Sequence, residues 1–199
     1  MSTRVIGITG GVGMGKSTAA KLLREQGVPV VDSDDLARAV VAVGEPALAE
    51  VCEIFGAEFL DAQGQLDRGK MAASIFGNDA ERKKLEAIIH PRVRECWLLQ
   101  MESWRAENVP LGVVVIPLLF EVGAEGEFDS VICVACTGNT QRERLRARGW
   151  DDVQIAARIA ALGRVTVSLL RSTTGSLSLP PAASPHGRGG ARSRPPIPR

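Results

Sequence analysis

Arg4-Val5-Ile6-Gly7-Ile8-Thr9-Gly10-Gly11-Val12-Gly13-Met14-Gly15-Lys16-Ser17-Thr18 is the stretch that decides the fold. Its first six residues are short and mostly β-branched, which predicts a buried strand. Gly10 to Ser17 then fit G-x-x-x-x-G-K-[ST]. From Lys16 to about Gln26, the residues Ala19, Ala20, Leu22 and Leu23 supply an apolar helix face, and Gly27 stands where a helix stops. Strand, glycine turn and helix in that order make a phosphate-binding loop. Glycines admit positive φ and bring the backbone close to an anion. Successive N–H groups converge into a nest, and the helix adds its positive end. The Lys16 ammonium neutralises β- and γ-phosphates, and the Ser17 hydroxyl is a ligand for Mg²⁺. Gly11, Val12, Gly13, Met14, Gly15, Lys16, Ser17 and Thr18 are the candidate ATP contacts.

Downstream, Val28 to Val31 predicts a second strand with Asp32-Ser33-Asp34 at its C-terminal end. A helix starting near Asp34 or Asp35 turns Leu36, Ala37, Val40 and Val41 inward. Open α/β sheets bind ligands outside the carboxyl ends of their strands, and on extended chain Asp32 and Asp34 share a face. One of them can orient or deprotonate an acceptor hydroxyl while the other supports Mg²⁺ or caps the next helix. Both also suit plain helix capping.

The middle reads as helical. Pro46 opens a helix to about Phe55, Asp67 caps one through Phe76, and Asn78 caps a longer one. Pro91 is expected to kink or break that helix after His90; apolar residues resume through Val93, Trp97, Leu98 and Met101 to Trp104. Strands return at Gly112 to Ile116 and Asp129 to Ala135, followed by helices Thr140 to Arg148 and Asp152 to Leu162. The fold class is α/β: a parallel sheet with flanking helices, and a helical insertion at about 44–108 that forms a lid or substrate subdomain. Cys133 and Cys136 form C-x-x-C, but Cys133 sits in the apolar run Val131-Ile132-Cys133-Val134-Ala135 and reads as a small hydrophobe.

The 199 residues suit one domain, or one core with an inserted subdomain, and hydrophobic residues make up 45% of them. No run reaches the roughly 18 apolar residues of a membrane span, and the N-terminus carries no secretory pattern, so the expected location is the cytoplasm. Six of the 24 basic residues, and no acid, lie from Gly163 onward, leaving 18 basic against 23 acidic before it. A mildly acidic body does not read as a nucleic-acid binder. The division is 1–162 as the catalytic domain and 163–199 as an Arg/Pro/Gly/Ser-rich, largely disordered tail.

The residues resemble the dephospho-CoA kinases. Ile8 to Thr18 matches their opening, and Val30-Val31-Asp32-Ser33-Asp34 their Asp-Ala-Asp. Phe55-Gly56, Leu66-Asp67-Arg68, Leu85-Glu86, Ile89-His90-Pro91, Pro117-Leu118-Leu119-Phe120-Glu121, Gln141, Arg144-Leu145, Arg148 and Ala157-Arg158-Ile159-Ala160-Ala161 follow in order, so the resemblance covers residues 3 to about 161. It implies a P-loop kinase fold. It also implies transfer of the ATP γ-phosphoryl group, with Mg²⁺, to the ribose 3′-hydroxyl of dephospho-CoA, the last step of coenzyme A biosynthesis. By position Asp34 matches the catalytic aspartate and Arg144 a lid arginine on the transferring phosphate, both acting with Lys16. Asp34, His90 and Leu118 fall at the acceptor pocket, and Ser17 at the metal. A monomer without nucleic-acid or membrane partners is expected.

The sequence departs from that family in places. Met14 replaces the usual Ser, and Ser33 the usual Ala. After Ala161 the family's next strand and last helix have no counterpart, which suggests an out-of-frame C-terminus; Val165-Thr166-Val167-Ser168-Leu169-Leu170 is a candidate substitute strand. A bare sheet edge, lower stability and weak ATP binding are the expected consequences. Two alternatives stand beside the kinase: a catalytically impaired nucleotide-binding protein, and a kinase for another small metabolite.

Overall fold

The computed structural model of the chain describes residues 2–159. The tail at 163–199, the candidate strand Val165 to Leu170 and the end of the last predicted helix lie outside the described residues.

Four strands form one parallel sheet: β1 (Arg4–Thr9), β2 (Val30–Asp32), β3 (Leu111–Val115) and β4 (Ser130–Cys133), in the order β2-β3-β1-β4. In register, Ile8 lies opposite Val115 and Ile132, and Asp32 opposite Val115. Helices α1 (Lys16–Glu25), α2 (Ser33–Ala39), α3 (Pro46–Phe55), α4 (Arg68–Ile75), α5 (Asp79–Ala106) and α6 (Gly138–Arg146) surround it, and residues 152–159 are helical again.

Strand alternation explains the layers. On β3, Val113 and Val115 pack with Ile8 and Ala20 on one face, under α1. Val114 points the other way and joins Val5, Trp97, Met101 and Trp104, under α5. A period of two puts alternate residues on opposite faces, and a parallel sheet needs both faces covered. Trp104 lies so close to β3 that a Cβ on Gly112 would run into its ring, which is why that strand carries glycine. The same core continues into the 46–106 segment through Val51, Met71 and Ile88, so sheet and helical segment share one hydrophobic core.

Three expectations need correction. The second strand is shorter and later than predicted: β2 runs Val30–Asp32, and α2 begins at once with Ser33. Asp34 is therefore a first-turn helical residue, not part of an extended Asp-x-Asp face. The helix α5 passes through Pro91 unbroken. Proline denies Ala87 its helical donor, but Ile88, Val93, Trp97, Met101 and Trp104 are all buried along the helix, and packing on both sides of the proline outweighs the lost bond. The Arg92 guanidinium also donates to the Ile88 carbonyl at 2.7 Å. Finally, Cys133 is exposed rather than packed as a small hydrophobe, because β4 has β1 on one side and no strand on the other among the described residues.

Candidate active site

The site grows from the end of β1. Thr9 is buried there and its hydroxyl donates to the Pro117 carbonyl at 3.0 Å, while the Ile116 N–H donates to the Ile8 carbonyl at 2.8 Å. These bonds fix the turn after β3 beside the start of the glycine loop. Gly10, Gly13 and Gly15 all have positive φ, at 144°, 74° and 109°. Gly15 is the residue before α1, and no side chain caps that helix. Its first N–H groups are left for an anion, as the motif requires.

An open cleft of about 260 Å³ lies over the loop. The loop residues Gly10, Gly11, Val12, Gly13, Gly15, Lys16, Ser17 and Thr18 line it together with Asp34, Pro117, Arg144 and Arg148. Strand β2 delivers Asp34: Asp32 caps α2 by accepting the Asp34 N–H at 2.9 Å, which leaves the Asp34 carboxylate to the cleft. Helix α6, capped by Thr137, delivers Arg144, whose Nη1 donates to the Gly13 carbonyl at 3.4 Å.

The charges read each other across this space. The Lys16 Nζ donates to the carbonyls of Gly10 (2.5 Å) and Gly11 (3.1 Å). Burial pushes the Lys16 pKa below the usual lysine value; the Asp34 and Asp32 carboxylates act against that, and the Arg148 cation adds to it. Burial raises the Asp32 pKa above the usual carboxylate value, with the Asp34 and Asp35 carboxylates adding to the rise and the Asp34 N–H bond opposing it. A cation, a carboxylate and two arginines on one anion nest can hold a triphosphate and act on a hydroxyl beside it.

The structure brings most of the expected residues together and leaves three apart. Met14 does not line the cleft; its Sδ accepts the Cys136 N–H at 3.4 Å, on the far side of the loop. His90 is exposed on α5, and Leu118 is exposed in the turn after β3; neither lines this cleft. Arg148, named above in the family resemblance without a site role, also lines the cleft. Its signal was legible in the spacing, since Gln141, Arg144, Leu145 and Arg148 fall on one helical stripe. Arg146, by contrast, pairs with Asp152 at the surface. A Mg²⁺ ion fits the donor set, because the Ser17 hydroxyl and the Asp34 carboxylate are hard oxygen ligands on the same cleft.

Known proteins resemble this chain along most of the described residues. A protein-family model described as dephospho-CoA kinase matches residues 4–164. The dephospho-CoA kinase of Bdellovibrio bacteriovorus is 45% identical over 156 residues, 78% of this chain and 78% of that protein. That of Anaeromyxobacter dehalogenans is 48% identical over 159 residues, 79% of this chain and 75% of that protein. Among solved structures, TT1252 from Thermus thermophilus superposes with a TM-score of 0.68 at 38% identity over 81% of each chain. The dephospho-CoA kinase from Campylobacter jejuni shares the fold, with a TM-score of 0.62 at 22% identity over 86% of each chain.

Proposed function

This chain belongs to the dephospho-CoA kinase family, and from that premise we propose that it transfers the ATP γ-phosphoryl group to the ribose 3′-hydroxyl of dephospho-CoA, giving coenzyme A. The observation that carries the proposal is the single cleft shared by Lys16, Asp34 and Arg144. In this reading the loop N–H groups and Lys16 hold the β- and γ-phosphates. Asp34 accepts the hydroxyl proton as the ribose oxygen bonds to the γ-phosphorus and the bond to the ADP oxygen breaks. Arg144 and Arg148 stabilise the charge that spreads over the γ-oxygens in transfer.

Ser17, with Asp34 near it, would hold Mg²⁺, which supplies charge neutralisation on the phosphate oxygens when bound. In the same reading the rest of the acceptor extends beyond this cleft, toward His90 on α5 and Leu118 in the turn after β3. In this reading the enzyme works in the cytoplasm as a monomer.

One observation favours a second reading, a nucleotide-binding protein of reduced activity. The family match stops at residue 164, and β4 has a free edge among the described residues, with Ile132 42% exposed on it. ADP release measured with dephospho-CoA, adenosine and AMP as acceptors tests both. Fastest release with dephospho-CoA supports the kinase; a faster rate with either other acceptor overturns the substrate, and ATP binding with no ADP formed under all three supports the second reading.

A further inference from the structure

Gln141 is one of three buried polar or charged residues among those described, only 4% exposed, and it does not itself line the cleft. Its Nε2 donates to the Val12 carbonyl at 2.8 Å. One loop residue on, Gly13 faces the same helix: a Cβ there would lie 3.1 Å from the Leu145 side chain and 3.4 Å from Gln141 Cγ. Arg144, three residues after Gln141, reaches the Gly13 carbonyl. Helix α6 therefore grips the loop at the consecutive residues Val12 and Gly13.

We propose that Gln141 is a positioning residue for the phosphate-binding loop, holding the Val12 carbonyl outward so that the neighbouring N–H groups face the phosphates. The inference rests on the loop being the phosphate site. A peptide group carries its N–H and C=O on opposite edges, so rotating one 180° replaces a donor in the nest with an acceptor that repels phosphate. The Gln141 amide blocks that rotation by bonding the carbonyl on the far side. It also couples the loop to the helix that carries Arg144, so these two parts of the cleft lining move together. Leu145, fully buried against Gly13, completes the grip.

The test uses the full chain and the variants Gln141→Met and Gln141→Glu. Methionine keeps the length and removes the donor. Glutamate keeps the shape, but its ionised carboxylate cannot donate, whereas its protonated form can. Gln141→Met is expected to weaken ADP binding, measured by calorimetry, by about tenfold. It should also speed hydrogen–deuterium exchange at residues 10–15 while the core strands stay protected. Gln141→Glu should bind ADP poorly at pH 8 and regain affinity as the pH falls and the buried carboxyl takes up a proton, a recovery absent from the wild type. ADP affinity within about twofold of wild type in Gln141→Met, together with unchanged exchange at 10–15, overturns the proposal. So does a Gln141→Glu pH profile parallel to that of the wild type. Normal ADP binding by a wild type that fails to phosphorylate dephospho-CoA counts against the substrate reading alone.

Discussion

The Asp32 carboxylate accepts the backbone N–H of Asp34 at 2.9 Å. That bond divides the labour of two aspartates that the sequence presents as a pair. Asp32 is committed to capping α2, and Asp34 is left facing Lys16 across the cleft. The cap is made by a carboxylate that burial holds at a raised pKa. A group whose folded pKa is raised contributes stability that is full below its unfolded value of 3.8 and is lost as pH rises through the folded value. At neutral pH the Asp32 charge is thus a cost. Asparagine caps as well as aspartate, so Asp32→Asn should melt at the same or a higher temperature at pH 7 and lose the fall in stability just above pH 3.8. Melting curves across pH 3 to 7 check this; a clear drop in melting temperature at pH 7 would contradict it.

Gly10 is fixed by geometry of a different kind. Its φ is +144°, and a Cβ there would collide with the Val134 carbonyl, a backbone atom that cannot swing aside. Gly10→Ala should lower stability by about 3 kcal/mol or more, from the φ strain and the clash together. Urea denaturation measures it, and a loss under about 1 kcal/mol would show that the β1–β4 junction yields more easily than the structure implies.

Much of this was legible in the sequence. The loop from Gly10 to Ser17 fixed its own surroundings, because strand, turn and helix are local and the glycines have few other uses. Asp67 and Asn78 were readable as caps for the same local reason; each accepts the N–H three residues on, from Lys70 and Glu81. The misreadings were all non-local. Pro91 breaks helices in isolation, but not where Trp97 and Trp104 anchor the next three turns in a core. Cys133 looks buried from its apolar neighbours, yet burial depends on a strand beside β4 that the described residues do not contain. Asp32 and Asp34 looked equivalent because nothing in the spacing says where the strand ends. Arg148 and Gln141 shared a helical stripe with Arg144, but only the fold shows that this stripe faces the glycine loop.

The free side of β4 makes a prediction about association. Ile132 lies on an edge strand whose outer N–H and C=O groups have no strand partner among the described residues. Such edges pair with other chains unless a charge blocks them. Ile132→Lys should raise the concentration at which the protein begins to aggregate, read by light scattering, with little change in melting temperature. Faster aggregation in the variant would mean that this strand is protected in the full chain.

Lys16 sets an alkaline limit on binding. Burial lowers its pKa from the usual 10.5, and Arg148 contributes to the lowering. The ammonium form holds phosphate, so kcat/KM for ATP should fall as pH rises through this lowered value, below the usual lysine range. Arg148→Met removes one of the lowering charges, so the alkaline limb should move to higher pH even as the KM for ATP rises about threefold to tenfold. A limb that stays in place or moves to lower pH would contradict the charge arrangement of the cleft.

In the proposed function the Asp34 carboxylate readies an alcohol beside a triphosphate held by Lys16 and the loop. Single-turnover transfer of labelled γ-phosphate from ATP to dephospho-CoA, compared between the wild type and Asp34→Asn, tests it most directly. A rate about 10²–10⁴-fold lower in Asp34→Asn is expected, with ATP affinity within about threefold of the wild type. Transfer at the wild-type rate in Asp34→Asn, or a loss explained wholly by weaker ATP binding, would contradict it.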